Sequence, residues 1–435
     1  MRRGDMMSHP TVASMENPKR ATHIILAGSI GSALEWFDFA VYGYLAPVLG
    51  KVFFPSDDPL AVTLSSFAVF SIGYFMRPVG GLLLGLVGDH LGRRHMLLVG
   101  MMLMGLSSLL MGLIPGYSQI GMWAPVLLVV MRMFQGLSVG GEYTGAMIYI
   151  AETSTPQRRG LLSSLATVGA LVGMMCGSAV VALLYATMDA PAMQAWGWRI
   201  PFLGGVVVAA IGMVVRAKLP ESTEFVSDTA PYPWVPMLSA FRLHWRLMLR
   251  VIAIVAAVNI AFYIGFVYLP DQFSQRNPHH AGLSQGINAA ILVFQAFMVV
   301  AGGWLSDRFG RKRVSLVFKF MLLALVLPMF QIAFSGSILQ LTIAQIGLSI
   351  PIGALMGIQG ALLTEMIPRM GRCSLISLSY SIAMAALAST APIVAAWMVD
   401  SKHWPNGPAM YTMAAIVVSI FAGLGARSSD PQKTS

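Results

Sequence analysis

Gly85-Leu-Val-Gly-Asp89-His-Leu-Gly92-Arg93-Arg94 and Gly303-Trp-Leu-Ser-Asp307-Arg-Phe-Gly310-Arg311-Lys312 carry one pattern, G-x-x-x-D-x-x-G-R-[RK], 218 residues apart. Each follows a long apolar run. A second pair stands at matching places: Glu152 is followed seven residues later by Arg159, and Glu365 by Arg372, with Pro156 and Pro368 between. A compound pattern recurring in register across half a chain means two equivalent halves. The glycines permit tight turns and close backbone approach. An Asp at a helix end can accept N–H groups from the first turn of a neighbouring helix, and the arginines can bridge to Glu152 or Glu365. The set is either a static turn or a device that fastens the halves in one state and parts in another.

Working outward, the solvent of this chain is lipid. Of 435 residues, 56% are hydrophobic and only 11% charged, with a mean hydropathy of +0.72. A soluble domain carries about 25% charged residues. The apolar runs are continuous, as at 99–113 and 206–215, so they read as helices and not as the alternating strands of a barrel. Twelve spans are expected at 21–47, 60–86, 95–115, 124–150, 160–186, 197–216, 247–269, 284–305, 314–334, 338–366, 374–399 and 409–426. The fold class is thus an all-α membrane protein of two six-helix halves, 21–216 and 247–426. Around them lie a tail at 1–20, a central loop at 217–246 holding Pro220, Glu221, Glu224, Pro231, Pro233 and Pro236, and a tail at 427–435. The first 20 residues read as a retained polar tail, not a cleavable signal.

Lys and Arg set the orientation. Lys51, Arg199, Arg276 and Lys402 fall on one side, and Arg77, Arg132 and Lys319 inside spans; the other 21 of the 28 fall on the side of the termini and the doubled motif. Both termini, and a gate built from Asp89, Arg93, Glu152, Arg159, Asp307, Arg311, Glu365 and Arg372, are expected in the cytoplasm. The net charge of +10 then reads as loop charge facing anionic lipid headgroups. No nucleic-acid partner is expected. Cys176 and Cys373 lack metal-ligand spacing. No metal, cofactor or enzymatic triad can be assembled from the polar residues.

Charges at membrane depth are costly and ask for a reason. Glu35 and Asp38 lie midway along span 1 on one face and are candidates, with Glu142, for proton coupling. Glu142 could equally brace span 4 against a neighbour. Arg132, with Gln135 one turn further on, could bind a substrate carboxylate bidentately or serve as the counter-ion of span 1. Arg77, before Pro78, reads as structural, and Lys319 as snorkelling to the surface. The second half has no acid deep in a span. Its candidates for substrate contact are Asn259, Tyr263 and Tyr380, beside Tyr42 in the first half; Asn288, Gln295, Gln345 and Gln359 are further polar residues there. Gly169, Gly173 and Gly177 form a ladder for close helix packing.

The doubled motif resembles the signature of the major facilitator superfamily. Further stretches resemble its metabolite:proton symporters: Glu35-Trp36-Phe37-Asp38-Phe39 with Tyr42-Gly43, Phe53-Phe54-Pro55, Arg77-Pro78-Val-Gly80-Gly81, Arg132-Met-Phe-Gln135-Gly136, Gly140-Gly141-Glu142-Tyr143, Trp196-Gly197-Trp198-Arg199 and Leu219-Pro220-Glu221-Ser222. The resemblance is densest in the first half and is nearest to the proline/betaine type, with α-ketoglutarate and citrate permeases beside it. Osmosensing members of that type carry a long C-terminal coiled coil; here nine residues without heptads follow the last span, so no such regulation is expected. Arg132 is similar to the carboxylate carriers. The resemblance implies a monomeric bacterial inner-membrane carrier that takes up a small carboxylate-bearing metabolite with protons by alternating access. The alternative is a proton-driven exporter, against which stands the absence of a Gly-Pro pair in span 5.

Overall fold

The computed structural model describes residues 18–54, 59–222, 234–277, 279, 281–334 and 336–424. Twelve long helices account for nearly all of them. The first six are α1 (Pro18–Phe53), α2 (Pro59–His90), α3 (Arg93–Leu113), α4 (Trp123–Thr153), α5 (Arg159–Thr187) and α6 (Arg199–Ala217). In the second half, α7 (Trp234–Tyr263) runs through a π-helical turn, Ile264–Tyr268, into Leu269–Arg276. Then come α8 (Ala281–Phe309), α9 (Arg311–Ala333), α10 (Ile338–Met366), α11 (Arg372–Ile382, continued to Ser401 with two π-helical segments) and α12 (Gly407–Leu424). Eleven described helices are long and apolar enough to cross a membrane; α1, which carries Glu35 and Asp38 at mid-length, completes the twelve.

Most helices outrun the spans read from hydropathy, because polar residues at their ends continue the helix beyond the apolar window. The segment read as the central loop is partly helical: α7 begins at Trp234 and bends at His244 (φ −112°, ψ 15°). The residues between 222 and 234 and both expected tails lie wholly or mostly outside the described residues.

Glycine sets the closest helix contacts. A Cβ on Gly169 or Gly173 would strike the α1 backbone at Ser29 or Ala33, and one on Gly140 the α2 backbone at Arg77. The ladder read in span 5 therefore lies against α1, in the manner of small-residue packing between membrane helices. Gly357 lies equally close to the α8 backbone at Val299. Where backbone leaves the regular ladder, side chains satisfy it. Gln345 Nε2 donates to the Gly265 carbonyl of the π turn (3.2 Å) and to Asn288 Oδ1 (2.7 Å). Asn288 Nδ2 donates in turn to the Phe266 carbonyl (3.2 Å). These residues brace α7, α8 and α10. Lys319 does not snorkel. It is buried, and its Nζ donates to the Ser419 carbonyl of α12 at 3.1 Å.

Candidate functional site

The two halves are fastened at the end that carries the doubled motif. Asp89, at the end of α2, accepts the backbone N–H groups of Cys373 (3.0 Å) and Ser374 (2.9 Å) at the start of α11. Asp307, at the end of α8, accepts those of Gly160 (2.9 Å) and Leu161 (2.7 Å) at the start of α5. Each acid of the repeat thus caps a helix of the opposite half, where unpaired N–H groups and the positive dipole end favour a carboxylate. The turns behind them need glycine, since Gly92 and Gly310 hold φ of 102° and 92°.

The Glu–Arg pairs close around these caps. Arg93 holds Glu152 bidentately, Nε to Oε2 at 2.9 Å and Nη2 to Oε1 at 3.1 Å. Arg372 reaches the same Oε1 from the other half at 2.8 Å. In the mirror position Arg311 Nε lies 3.3 Å and Arg159 Nη1 3.7 Å from Glu365 Oε1. Small residues let the halves meet there: Gly81 and Gly85 abut the α11 backbone at Ser377 and Ser374, and Gly303 abuts that of Gly160. The eight expected gate residues thus fall in two clusters, Asp89, Arg93, Glu152 and Arg372 in one and Arg159, Asp307, Arg311 and Glu365 in the other.

Glu221 and Ser222 complete this cluster. Glu221 Oε1 accepts the N–H of Arg93 (2.7 Å) and so caps α3; Ser222 donates its hydroxyl to Glu152. As a stretch after the sixth span they read as loop, and only their place in the Leu219–Ser222 resemblance marked them.

Inside the first half the charges form two further groups. Asp38 accepts the Ser108 hydroxyl and Gln135 Nε2 (3.2 Å). Arg132 Nη1 donates to Gln135 Oε1 (2.7 Å), and its guanidinium lies over Phe39 (4.7 Å) and Tyr42 (4.1 Å). Gln135 is thus the link between Asp38 and Arg132. Glu142 forms a buried ion pair with Arg216 of α6, which had been counted among the loop charges; Gly31 and Gly100 make the space for it. Glu35 and Asp38 do not act on each other directly. The charged side chains that act on Glu35 are Arg77, Glu142 and Arg216, whereas Arg132 acts on Asp38.

Between the halves lies a narrow cavity of about 20 Å³, room for a water molecule in the closed arrangement seen here. Trp36, Tyr143, Phe262, Tyr263 and Tyr380 supply an aromatic wall, with Thr167 and Asn259 as polar members. Tyr143 hydrogen-bonds Thr167 (2.9 Å), and Tyr263 meets Tyr74 of the other half, hydroxyl to hydroxyl at 3.2 Å. Asn259, Tyr263 and Tyr380, read as substrate contacts, stand at this cavity. Arg132, Gln135 and Tyr42, read as the same, do not: they are buried within the first half, where Arg132 and Gln135 of α4 pack against Asp38, Phe39 and Tyr42 of α1. Arg77 stands instead beside the cavity, its guanidinium 5.5 Å from the ring of Trp36.

A multi-pass bundle of two repeated halves around a central cavity is the architecture of a membrane transporter, not an enzyme. The chain belongs to the major facilitator superfamily. Residues 24–229 match the family model for sugar (and other) transporters and residues 275–434 that of the Major Facilitator Superfamily. The proline/betaine transporter of Salmonella typhimurium is 34% identical over 93% of this chain and 83% of its own. That of Escherichia coli K12 is 35% identical over 92% and 82%. Among solved structures, the proton:xylose symporter XylE bound to 6-bromo-6-deoxy-D-glucose superposes with a TM-score of 0.77 at 16% identity, covering 94% of this chain and 95% of that one. The inward-open conformation of XylE from E. coli gives 0.62 at 17% identity, covering 95% and 98%.

Proposed function

We propose that this protein is a proton-coupled symporter that takes up a small zwitterion of the proline and betaine kind by alternating access, with both termini and the motif end in the cytoplasm of a bacterium. One observation carries the reading. The halves are joined at the motif end by caps and ion pairs that cross between them, above which lies a cavity walled by residues from both. Contacts between two rigid bodies can be exchanged without unfolding either, as rocking of repeats around a fixed site requires. The weaker likeness to the inward-open XylE conformation supports a state closed on the cytoplasmic side. The aromatic wall suits a cationic head, which is attracted to ring faces, and the relatives' names add the proline and betaine class.

Asp89, Arg93, Glu152, Arg159, Asp307, Arg311, Glu365 and Arg372 are the gate in this reading. Glu35 and Asp38 carry the proton. Glu142 braces α4 on α6 through Arg216, the structural alternative left open by the sequence. Arg132 and Gln135 hold Asp38 in place and reach cargo only through it.

The test is uptake into proteoliposomes under an imposed pH difference, acid outside. Labelled proline, glycine betaine, citrate and α-ketoglutarate are compared with and without an uncoupler. Uncoupler-sensitive accumulation of proline or betaine is expected. Accumulation of the organic acids alone, or of none of the four, overturns the reading.

A further inference from the structure

Apart from the arginines of the motif clusters, three are buried among the helices of the first half, and two of these are already occupied. Arg132 is bonded to Gln135, and Arg216 to Glu142. Arg77 is different. It is only 3% exposed, it makes no ion pair among the described residues, and its Nε and Nη2 make no hydrogen bond within the protein. Instead it is held by three ring faces, Tyr74 at 4.3 Å, Phe39 at 4.7 Å and Trp36 at 5.5 Å. Rings fix where the guanidinium sits but leave its in-plane N–H groups unused. The indole Nε1 of Trp36, also buried, makes no hydrogen bond either. Trp36 lines the cavity and Arg77 stacks on its ring, so two adjacent side chains hold unused buried donors directly behind the cavity wall. Buried donors without acceptors are costly, and a planar carboxylate matches a guanidinium fork.

We infer that Arg77 and Trp36 bind the carboxylate of the cargo, while its cationic end lies against the rings of Tyr143, Tyr263 and Tyr380. The inference rests on the zwitterion reading above and assigns its anionic end to a pair of residues. It also gives the proton a reason to travel. Glu35 Oε2 makes no hydrogen bond, and the groups facing it are Arg77 from α2, Glu142 and the backbone of Tyr143 from α4, and Arg216 from α6. The hydroxyls of Tyr263 and Tyr380 face Arg77 from α7 and α11. With Arg216 engaged by Glu142, Arg77 is the cation that balances Glu35. A cargo carboxylate on Arg77 places a second negative charge on the same cation, and a proton on Glu35 restores the balance.

Glycine betaine and choline test this, because they share a trimethylammonium head and differ in carboxylate against hydroxymethyl. Their affinities are measured on purified protein in nanodiscs across pH, beside proline. Wild type should bind betaine at least tenfold tighter than choline, with betaine affinity falling as pH rises and choline affinity flat. Arg77→Gln should lose at least tenfold for betaine and leave choline within twofold, and Arg77→Lys should fall between. Trp36→Phe keeps the ring and removes only the N–H, so it should narrow the preference even if Arg77→Gln fails to fold. Equal binding of choline and betaine by wild type, or a preference unchanged in Arg77→Gln or in both Arg77→Lys and Trp36→Phe, overturns the inference and leaves the transport reading standing. Wild type that binds neither betaine nor proline overturns both.

Discussion

Arg372 of the second half donates to Glu152 of the first at 2.8 Å, with the Glu152 side chain fully buried and that of Arg372 7% exposed. Two residues 220 apart in sequence thus share a contact that exists only while the halves are together at the motif end. Arg93 stays bonded to Glu152 when Arg372 is removed, so the loss is smaller than the about 3–5 kcal/mol of a buried pair broken outright. That cost falls on the closed state alone.

Cys373 reports on this closure. It is buried and its N–H is bonded to Asp89, whereas Cys176 is exposed. In a Cys176→Ser background, maleimide labelling of Cys373 should be slow. Arg372→Gln or Asp89→Ala should speed it at least tenfold, a shift of about 1.4 kcal/mol. Unchanged labelling in both variants would mean that the contacts do not hold the halves closed.

The two Glu–Arg clusters are not equal. The Glu152 side chain is fully buried, but that of Glu365 is 34% exposed and its contacts with Arg311 and Arg159 are longer. Solvent screens the second cluster. Glu152→Gln should therefore accelerate Cys373 labelling well beyond Glu365→Gln, and raising salt should affect the Glu365 cluster more. Equal effects would show that burial does not rank them.

Gly85 is apposed to the backbone of Ser374 and Gly303 to that of Gly160. A side chain at either place wedges the halves apart without entering the core of either. Gly85→Leu and Gly303→Leu should leave expression and thermal unfolding near wild type, raise Cys373 labelling and cut proton-driven uptake at least tenfold. By contrast, Gly173→Leu drives into α1 within one half and should lower the yield of folded protein.

In the proposed function, proton coupling divides between two acids that do not touch. If Glu35 takes a proton as cargo arrives, apparent betaine affinity in wild type weakens as pH rises. Glu35→Gln should remove that dependence while still binding. Asp38→Asn should abolish accumulation against a gradient, with protein still reaching the membrane. Accumulation at the wild-type rate in Asp38→Asn would exclude Asp38 from coupling.

Hydropathy and the doubled motif were enough, by themselves, to determine twelve helices, two halves and the partners of Asp89 and Asp307 in kind. Apolar runs are local, and a helix N-terminus attracts a carboxylate wherever it comes from. The sequence did not decide which arginine meets which acid. Helical spacing placed Glu35 and Asp38 near one face and Gln135 one turn beyond Arg132, yet the neighbour each face meets is set by glycine contacts such as Gly169 on Ser29 and Gly140 on Arg77. Those contacts turned Arg132 inward to Gln135, drew Arg216 out of the loop count to Glu142, and left Arg77 beside the cavity. Chain-distant packing made these choices, because a charge in a membrane takes whichever partner the neighbouring backbone brings within reach.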